Sequence, residues 1–376
     1  MKLVVSRLDL VALISKIQSL VPSKPSLPIL SNILVEAAND LLTISATDLT
    51  VSVRCELEAK VIEEGSLALP ARRFFQLIRE LTSAQIKISA ETQEIAEITS
   101  GTSVFKINGM SKLEFPTISD LAGAPEIAFQ AGELKDLLLK SAFCAARDDS
   151  RYMLNGVALH LQAGKASFTG TDGKRLAKVS APLSVDGSLK GQYVLPIKAV
   201  EEMARILDSG EAKATLAIGS DKLSLSSGST TLVAKLLSGQ YPEVERVIPT
   251  HLTHNVLLHR EELGQLLRQV SLFTSEESSS VRFQFETGQL HLSATSSSIG
   301  EGRVSMPVDF TGDRFDIAFN PFYFVEMLRH SKDETIRLGL NDPHNPGLVT
   351  DSTGSLFVLM PMRLHEIARN PEAEPV

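Results

Sequence analysis

The sequence predicts an α+β fold of three repeated domains, each with two helices packed on antiparallel sheet. Three observations predict it: a recurring amphipathic run, a recurring strand that ends in a threonine, and a recurring proline ahead of a second amphipathic run. Their spacing is nearly constant, which marks an internal repeat.

The amphipathic runs place apolar residues at i, i+3, i+4 and i+7, the period of a helix with one buried stripe. They are Leu10, Leu13, Ile14 and Ile17; Leu134, Leu137 and Leu138, with Ser141 in the fourth place; and Leu263, Leu266, Leu267 and Val270. The strands end at Thr47, Thr171 and Thr295, successive threonines being 124 residues apart. Pro70, Pro196 and Pro321, spaced 126 and 125 residues, each open a second helix, because proline suits a first helical turn. Short alternating segments such as Ile86-Lys87-Ile88-Ser89 and Arg282-Phe283-Gln284-Phe285 supply further strands. Turn-forming residues at Leu121-Ala122-Gly123-Ala124-Pro125 and Val247-Ile248-Pro249-Thr250 set the boundaries: domains over 1–121, 122–249 and 250–364, then a C-terminal extension over 365–376. A unit of this size holds its own core, so these are domains in a row rather than solenoid repeats.

Hydrophobic residues at 43% and charged residues at 22% are ordinary globular usage, which excludes disordered and coiled-coil chains. No apolar run reaches the roughly 18 residues of a membrane span, and the start lacks a signal-peptide profile; the expectation is a soluble, cytoplasmic protein with no membrane partner. Cys55 and Cys144 read as buried thiols. With no Trp and four Tyr, stacking on exposed bases is not the main mode of binding. The net charge is −8, divided −2, +1 and −7 over residues 1–120, 121–250 and 251–376. An acidic chain can still present a basic face, so composition neither supports nor excludes DNA.

Catalytic constellations are missing. Gly170-Thr171-Asp172-Gly173-Lys174-Arg175 lacks the spacing and the Ser or Thr of a phosphate-binding loop and reads as a strand end and turn. His251, His254 and His259 cluster at a domain junction with no nearby Cys and read as linker residues rather than a metal site. Asp148, Asp149 and Asp172 are the carboxylates that a metal-dependent enzyme in the second domain would use, but Arg147 and Arg151 adjoin the first two. The expectation is a non-enzyme that takes no cofactor.

Six stretches of sequence resemble the bacterial DNA polymerase III beta subunits, the beta sliding clamp family. They are Lys24-Pro25-Ser26-Leu27-Pro28-Ile29-Leu30-Ser31-Asn32, Ala46-Thr47-Asp48-Leu49, Arg151-Tyr152-Met153-Leu154-Asn155-Gly156, Thr171-Asp172-Gly173-Lys174-Arg175-Leu176-Ala177, Tyr241-Pro242 with Arg246-Val247, and Met360-Pro361-Met362-Arg363-Leu364. All six stand in order within the threefold repeat.

The resemblance implies processivity-clamp domains that form half of a closed ring, a head-to-tail homodimer around duplex DNA with helices lining the bore. Consistent with that, 14 Lys and Arg against 9 Asp and Glu lie in or beside the six helical runs. It implies sequence-independent DNA contacts at Lys24, Arg151 and Tyr152, with Arg73 and Lys198 as additions. It implies a pocket for short linear motifs of the Gln-Leu-x-Leu-Phe type, carried by the replicative polymerase subunit, the clamp loader, other polymerases and repair proteins. The matching residues are Leu154, Thr171, Gly173, Arg175, Leu176, Pro242, Arg246, Val247, Val358, Met360, Pro361, Met362 and Arg363. Lys174 stands where the family often has His, and Met153 where some members have an aromatic. For the dimer it implies Phe105 and Ile107 packed against Leu272 and Phe273 of the partner subunit, with Lys106 and Glu301 as rim charges. The extension runs past the usual family end and is expected to be a mobile screen on the pocket. A monomeric peptide-binding scaffold of the same fold and an enzyme with a carboxylate site remain as alternatives.

Overall fold

The computed structural model describes residues 1–90, 94–183, 189–207, 210, 212–275 and 279–363. The extension over 365–376 therefore lies outside the described residues. Six α-helices are found among the described residues: α1 Arg7–Ile17, α2 Ala71–Glu80, α3 Ala131–Ala142, α4 Ile197–Ile206, α5 Arg260–Ser271 and α6 Pro321–His330.

Helices α1, α5 and α6 begin where a side chain supplies an acceptor for a first free N–H group, whereas α2 and α4 follow a proline with no side-chain cap. The Ser6 hydroxyl accepts from Asp9 N, His259 Nδ1 from Glu262 N, and the Asn320 carboxamide from Phe322 N at 2.9 Å. The predicted stripes are buried: Leu10, Leu13, Ile14 and Ile17 on α1, and Leu263, Leu267 and Val270 on α5. Ser141 is buried in the fourth place of the α3 stripe without leaving a polar atom unpaired, since its hydroxyl donates to Leu137 O at 2.8 Å. The prolines differ from the expectation. Pro70 and Pro196 end the strands Gly65–Pro70 and Gly191–Pro196 and sit one residue before their helices, whereas Pro321 is the first residue of α6 behind an Asn320 cap. Asn320, not Pro321, is thus the counterpart of the other two prolines.

The chain forms two compact units. Among the described residues, one contains those of 1–142, 156–166 and 181–239; the other contains those of 143–155, 167–180 and 240–363. In the first, α1 packs on α2 and α3 on α4. Its strands Lys60–Glu63, Lys2–Ser6, Gln85–Ala90, Ile95–Ser100 and Ser103–Asn108 form one sheet in that order. An eight-stranded sheet follows the order Glu126–Gln130, Lys213–Ile218, Lys222–Ser227, Thr230–Lys235, Val51–Glu58, Leu41–Thr47, Asn32–Ala38 and Gly65–Pro70.

In the second unit, α5 packs on α6. A four-stranded sheet runs Gly300–Pro307, Gln289–Ser296, Val281–Glu286, Phe315–Phe319. Strands Arg175–Pro182, Leu356–Leu359, Gly347–Thr350, Thr335–Leu340 and His254–His259 neighbour one another in that order. Its core is aromatic: Phe283 stacks on Phe324 at 5.2 Å and meets Phe319 edge-on at 5.4 Å. All three are fully buried, each contributing about 1.5–3 kcal/mol through the area it withdraws from water.

Two antiparallel pairings join strands of different repeats. In the first unit Val51 to Cys55 pair with Ala234 to Thr230; in the second, Arg175 to Lys178 pair with Leu359 to Leu356. Val51 and Arg175 are 124 residues apart, so the same strand of successive repeats makes both junctions. The central repeat divides between the units because it takes part in each.

The strand before each junction ends in the same hydrogen-bonded turn. Thr47 Oγ donates to Val51 O and accepts from Leu49 N, while Asp48 Oδ1 accepts from Thr50 N at 2.9 Å and Val51 N at 2.7 Å. Thr171 Oγ likewise donates to Arg175 O and accepts from Gly173 N, and Asp172 Oδ1 accepts from Lys174 N at 2.9 Å and Arg175 N at 3.0 Å. The third residue of the turn has positive φ, +75° at Leu49 and +83° at Gly173. Asp48 also pairs with Lys198 Nζ on α4. Replacing Asp48 by Ala removes two N–H acceptors and the ion-pair partner of Lys198, and should destabilise the first unit by about 1–3 kcal/mol, read as a lower urea midpoint.

Candidate peptide pocket and neighbouring charged surface

The turn at Thr171–Arg175 shapes one lip of a cleft of about 170 Å³ in the second unit. Arg151, Leu154, Thr171, Gly173, Arg175, Leu176, Pro242, Glu243, Val244, Val247, Val358 and Met360 line it. Leu176 and Val358 are directly paired across the junction and lie on one face of the sheet, both 2% exposed. With Leu348 they form a small apolar cluster, against which Val244 and Ile248 pack. The segment carrying Pro242 and Val244 is held from two sides. The buried Tyr241 hydroxyl donates to Thr169 O at 3.2 Å, and Glu245 pairs with Lys178.

Arg175 alternates to the opposite face from Leu176. Its guanidinium lies 4.5 Å from the Tyr323 ring centre and 5.5 Å from that of Phe143. Nε donates to Asp172 Oδ2 at 3.0 Å and Nη1 to Glu326 Oε2 at 2.5 Å. Burial works against the charge, but Glu326 and Asp172 hold Arg175 protonated. Cys144 lies close by, where burial pushes its thiol well above the usual range. Arg175 thus fixes the pocket strand to α6, and its planar fork serves both carboxylates while its face serves the rings.

The second lip is the loop before the short turn Tyr152–Asn155. Asn155 accepts from Asp149 N and donates to Asp149 O, which closes the loop on itself. Arg151 makes a fork to Asp149, with Nε to Oδ1 at 3.0 Å and Nη2 to Oδ2 at 2.8 Å, and also donates to Asp172 O. A Cβ on Gly173 would lie 2.9 Å from Arg151 Nη1, so glycine serves there for both its φ and its lack of bulk.

Nine of the thirteen expected pocket residues come together in the lining. Arg246 is not in the lining, being 80% exposed and paired with Glu243, and Pro361, Met362 and Arg363 stand outside it, Met362 N donating to Ala318 O. Arg151, Glu243 and Val244 are additions. Arg151 was grouped with DNA contacts by sequence and here lines the cleft, while its neighbour Tyr152 is 61% exposed. Lys24 and Arg73 are exposed, and Lys198 is engaged by Asp48. Phe105 lies exposed on the edge strand Ser103–Asn108, whereas Ile107 is buried in its own unit. Leu272 is 73% exposed; Phe273 covers Gly302 of the other edge strand, where a Cβ would come within 2.4 Å of the ring. Lys106 pairs with Glu97, and Glu301 with Arg303.

Four of the histidines and carboxylates weighed as catalytic groups have structural partners. His254 packs against Phe310 and Phe315, His259 caps α5, Asp149 holds Arg151 and Asp172 closes its turn. Among the described residues no group of His, Cys, Asp and Glu could hold a metal ion, and no helix is long and apolar enough to cross a membrane.

Comparison with known proteins agrees with this geometry. Models of the N-terminal, central and C-terminal domains of the DNA polymerase III beta subunit match residues 1–119, 128–243 and 245–363. The chain belongs to the DNA polymerase III beta subunit family, the beta sliding clamps. It is 49% identical to the beta sliding clamp of Chlamydia trachomatis over 366 residues, 97% of this chain and 88% of that protein. It is 30% identical to that of Vibrio cholerae, covering 97% of this chain and all of the relative. Among solved structures, a DNA polymerase III subunit beta from Pseudomonas aeruginosa superposes with a TM-score of 0.93 at 27% identity, over 97% of this chain and 100% of that one. The beta sliding clamp of C. crescentus superposes with a TM-score of 0.91 at 29% identity, with the same coverage. Three clamp domains of mixed α+β structure and a non-catalytic processivity role in DNA replication follow from membership.

The Arg151 fork holds the Asp149 carboxyl at about 2, below its ordinary 3.8. A depressed carboxylate stabilises the fold above its unfolded-state value, and that contribution is lost as pH falls toward 2. An NMR titration should place the Asp149 midpoint near 2 and return it toward the ordinary value in Arg151→Ala.

Proposed function

We propose that two copies of the chain close head to tail into a ring around duplex DNA, and that the cleft beside Leu176 and Val358 captures short linear motifs of replication and repair partners. The observation that carries the ring is the repetition of the junction. Strands 51–58 and 175–182 each pair with a strand of the following repeat. A further step of 124 residues reaches Gly300–Pro307, and the matching partner position, one step before 230–235, is Ser103–Asn108. Both are edge strands of their sheets, and the side chains of Val104 and Phe105 on the second are 55% and 38% exposed. An edge strand with exposed apolar residues is a template for another chain. Pairing these two edges between copies repeats the internal junction twice more and closes the circle with neither junction strand left unpaired.

DNA retention in such a ring comes from topology. Contacts to phosphate need only be weak, sequence-independent and screened by salt, and exposed side chains such as Lys24, Arg73, Tyr152 and Arg151 suit that task. The expected partners are the replicative polymerase subunit, the clamp loader, other polymerases and repair proteins, in the cytoplasm. An apolar floor with Met360 at the rim can repack around different apolar side chains, which suits a site shared by many partners.

Two experiments test the reading. A fluorescent Gln-Leu-x-Leu-Phe peptide should bind at about micromolar strength, roughly ten-fold more weakly to Met360→Ala, and within about two-fold of wild type to Arg246→Ala, whose side chain points into solvent. Absence of saturable binding would reject the pocket. Protein loaded on nicked circular DNA should stay bound through a high-salt wash and leave when the circle is cut, whereas loss from both forms alike would reject the ring.

A further inference from the structure

Most charged side chains around the cleft are paired with one another. Arg151 is forked to Asp149, Arg175 is held by Asp172 and Glu326, Arg246 by Glu243, and Lys178 by Glu245. Each pair cancels its own charge and leaves little field to attract a guest. Lys174 and Arg363 differ: both are exposed, and neither pairs with a carboxylate among the described residues.

These two cations belong to the Met360 end of the cleft. Met360 N donates to Lys174 O at 2.9 Å, and Arg363 follows Met360 by three residues. Lys174 is fixed from its other side as well, its N–H donating to Asp172 Oδ1 at 2.9 Å, and its neighbours Gly173 and Arg175 both line the cleft. The backbone of Lys174 is therefore anchored at the rim, while its side chain stays outside the apolar lining. Asp148 is an exposed acid without a partner among the described residues, but it belongs to the loop of the other lip and does not enter the lining.

We infer that the cleft selects linear motifs that carry an acidic side chain directly beside their apolar core, with Lys174 as the cation that determines this preference and Arg363 in support. This rests on the peptide pocket proposed above and names the class of guest it takes. A floor of Leu154, Leu176 and Val358 discriminates weakly between apolar guests of similar size. An unpaired cation on the rim adds what the floor lacks, attraction for a flanking acid and repulsion of a flanking base. The acid must lie outside the core residues, because the cations lie outside the lining.

The test uses full-length protein and three end-capped fluorescent peptides with the core Gln-Leu-Ala-Leu-Phe, flanked on both sides by Ser, by Asp or by Lys. The readout is the ratio of affinities within each protein, so a general loss of binding cancels. Wild type should bind the Asp-flanked peptide about three-fold or more tighter than the Ser-flanked one at low salt, and the Lys-flanked peptide most weakly. The preference should fade at roughly 1 M salt. Lys174→Gln should reduce the Asp-to-Ser ratio by about two-fold or more, and Lys174→Glu should bring it to one or below. A ratio near one in wild type would overturn the inference, and so would a ratio that Lys174→Glu leaves unchanged. If Lys174→Glu does not fold, Lys174→Gln and the salt dependence of the wild-type order decide. A wild type that binds none of the three peptides removes the pocket and this inference together, whereas equal binding of all three removes the inference alone.

Discussion

A strand at the edge of a sheet presents backbone N–H and C=O groups that must pair with something, and this chain satisfies them by passing the edge of one repeat to the next. Five residues from Val51 to Cys55 and four from Arg175 to Lys178 make these handovers. Backbone pairing fixes register, and register decides which side chains meet. Leu176 faces Val358 and Arg175 faces Leu359 because the side-chain period of a strand is two. A slip of one residue would turn Arg175 into the apolar floor and Leu176 onto the ion pairs. The cleft is therefore a product of the junction, and the chain needs no separate element to build it.

The same dependence explains the chemistry around the cleft. A Thr-Asp turn leaves its strand at a fixed angle by satisfying four backbone groups locally, and so delivers the first residue of the junction strand in a defined place. In the second unit that residue is Arg175, whose charge is balanced by Asp172 and Glu326 and whose plane is covered by two rings. Charge in so enclosed a place is tolerated because Nε and Nη1 each find a carboxylate acceptor. In the first unit the corresponding residue is Val51, fully buried, and the task of joining turn to helix passes to Asp48 and Lys198. Two chemically different solutions at equivalent places indicate that the connection is kept while its parts vary.

Much of this was legible in the sequence, and the limits have a physical cause. Three of the six helices announced themselves through a local period of 3.6 and the other three through a proline at their start, and the Thr47, Thr171, Thr295 spacing gave the threefold repeat. Pairing between Val51 and Ala234 leaves no local mark, so the continuity of sheets across repeats was not legible. Nine pocket residues came from resemblance, but Glu243 and Val244 enter the lining through the course of the chain after the buried Tyr241, which no pattern of residue types encodes. Lys198 read as a free helix cation because its partner is 150 residues away in sequence. The histidines read as linker residues for a comparable reason, whereas His254 and His259 end a paired strand: His254 alternates inward to Phe310 and Phe315, and His259 turns to the first turn of α5.

The fate of the helix cations bears on how an acidic chain handles a polyanion. Counting Lys and Arg along the helices overstates the positive charge on offer, since several are spent inside. Lys135 donates to Leu207 O at the end of α4, Arg205 to Glu202, Lys198 to Asp48, and Arg260 to Asp333 O. Lys24, Arg72, Arg73, Arg268 and Arg329 are exposed and pair with no carboxylate among the described residues. Each phosphate neutralised steepens the salt dependence of binding by about 0.9 on a logarithmic scale, and makes each displacement along the duplex slower. A small set of unpaired cations on flexible stems gives attraction without a fixed register. Tight binding would serve a protein that must stay at one site; a protein retained by the ring closure proposed above would gain from having several of its helix cations already satisfied by its own backbone and carboxylates.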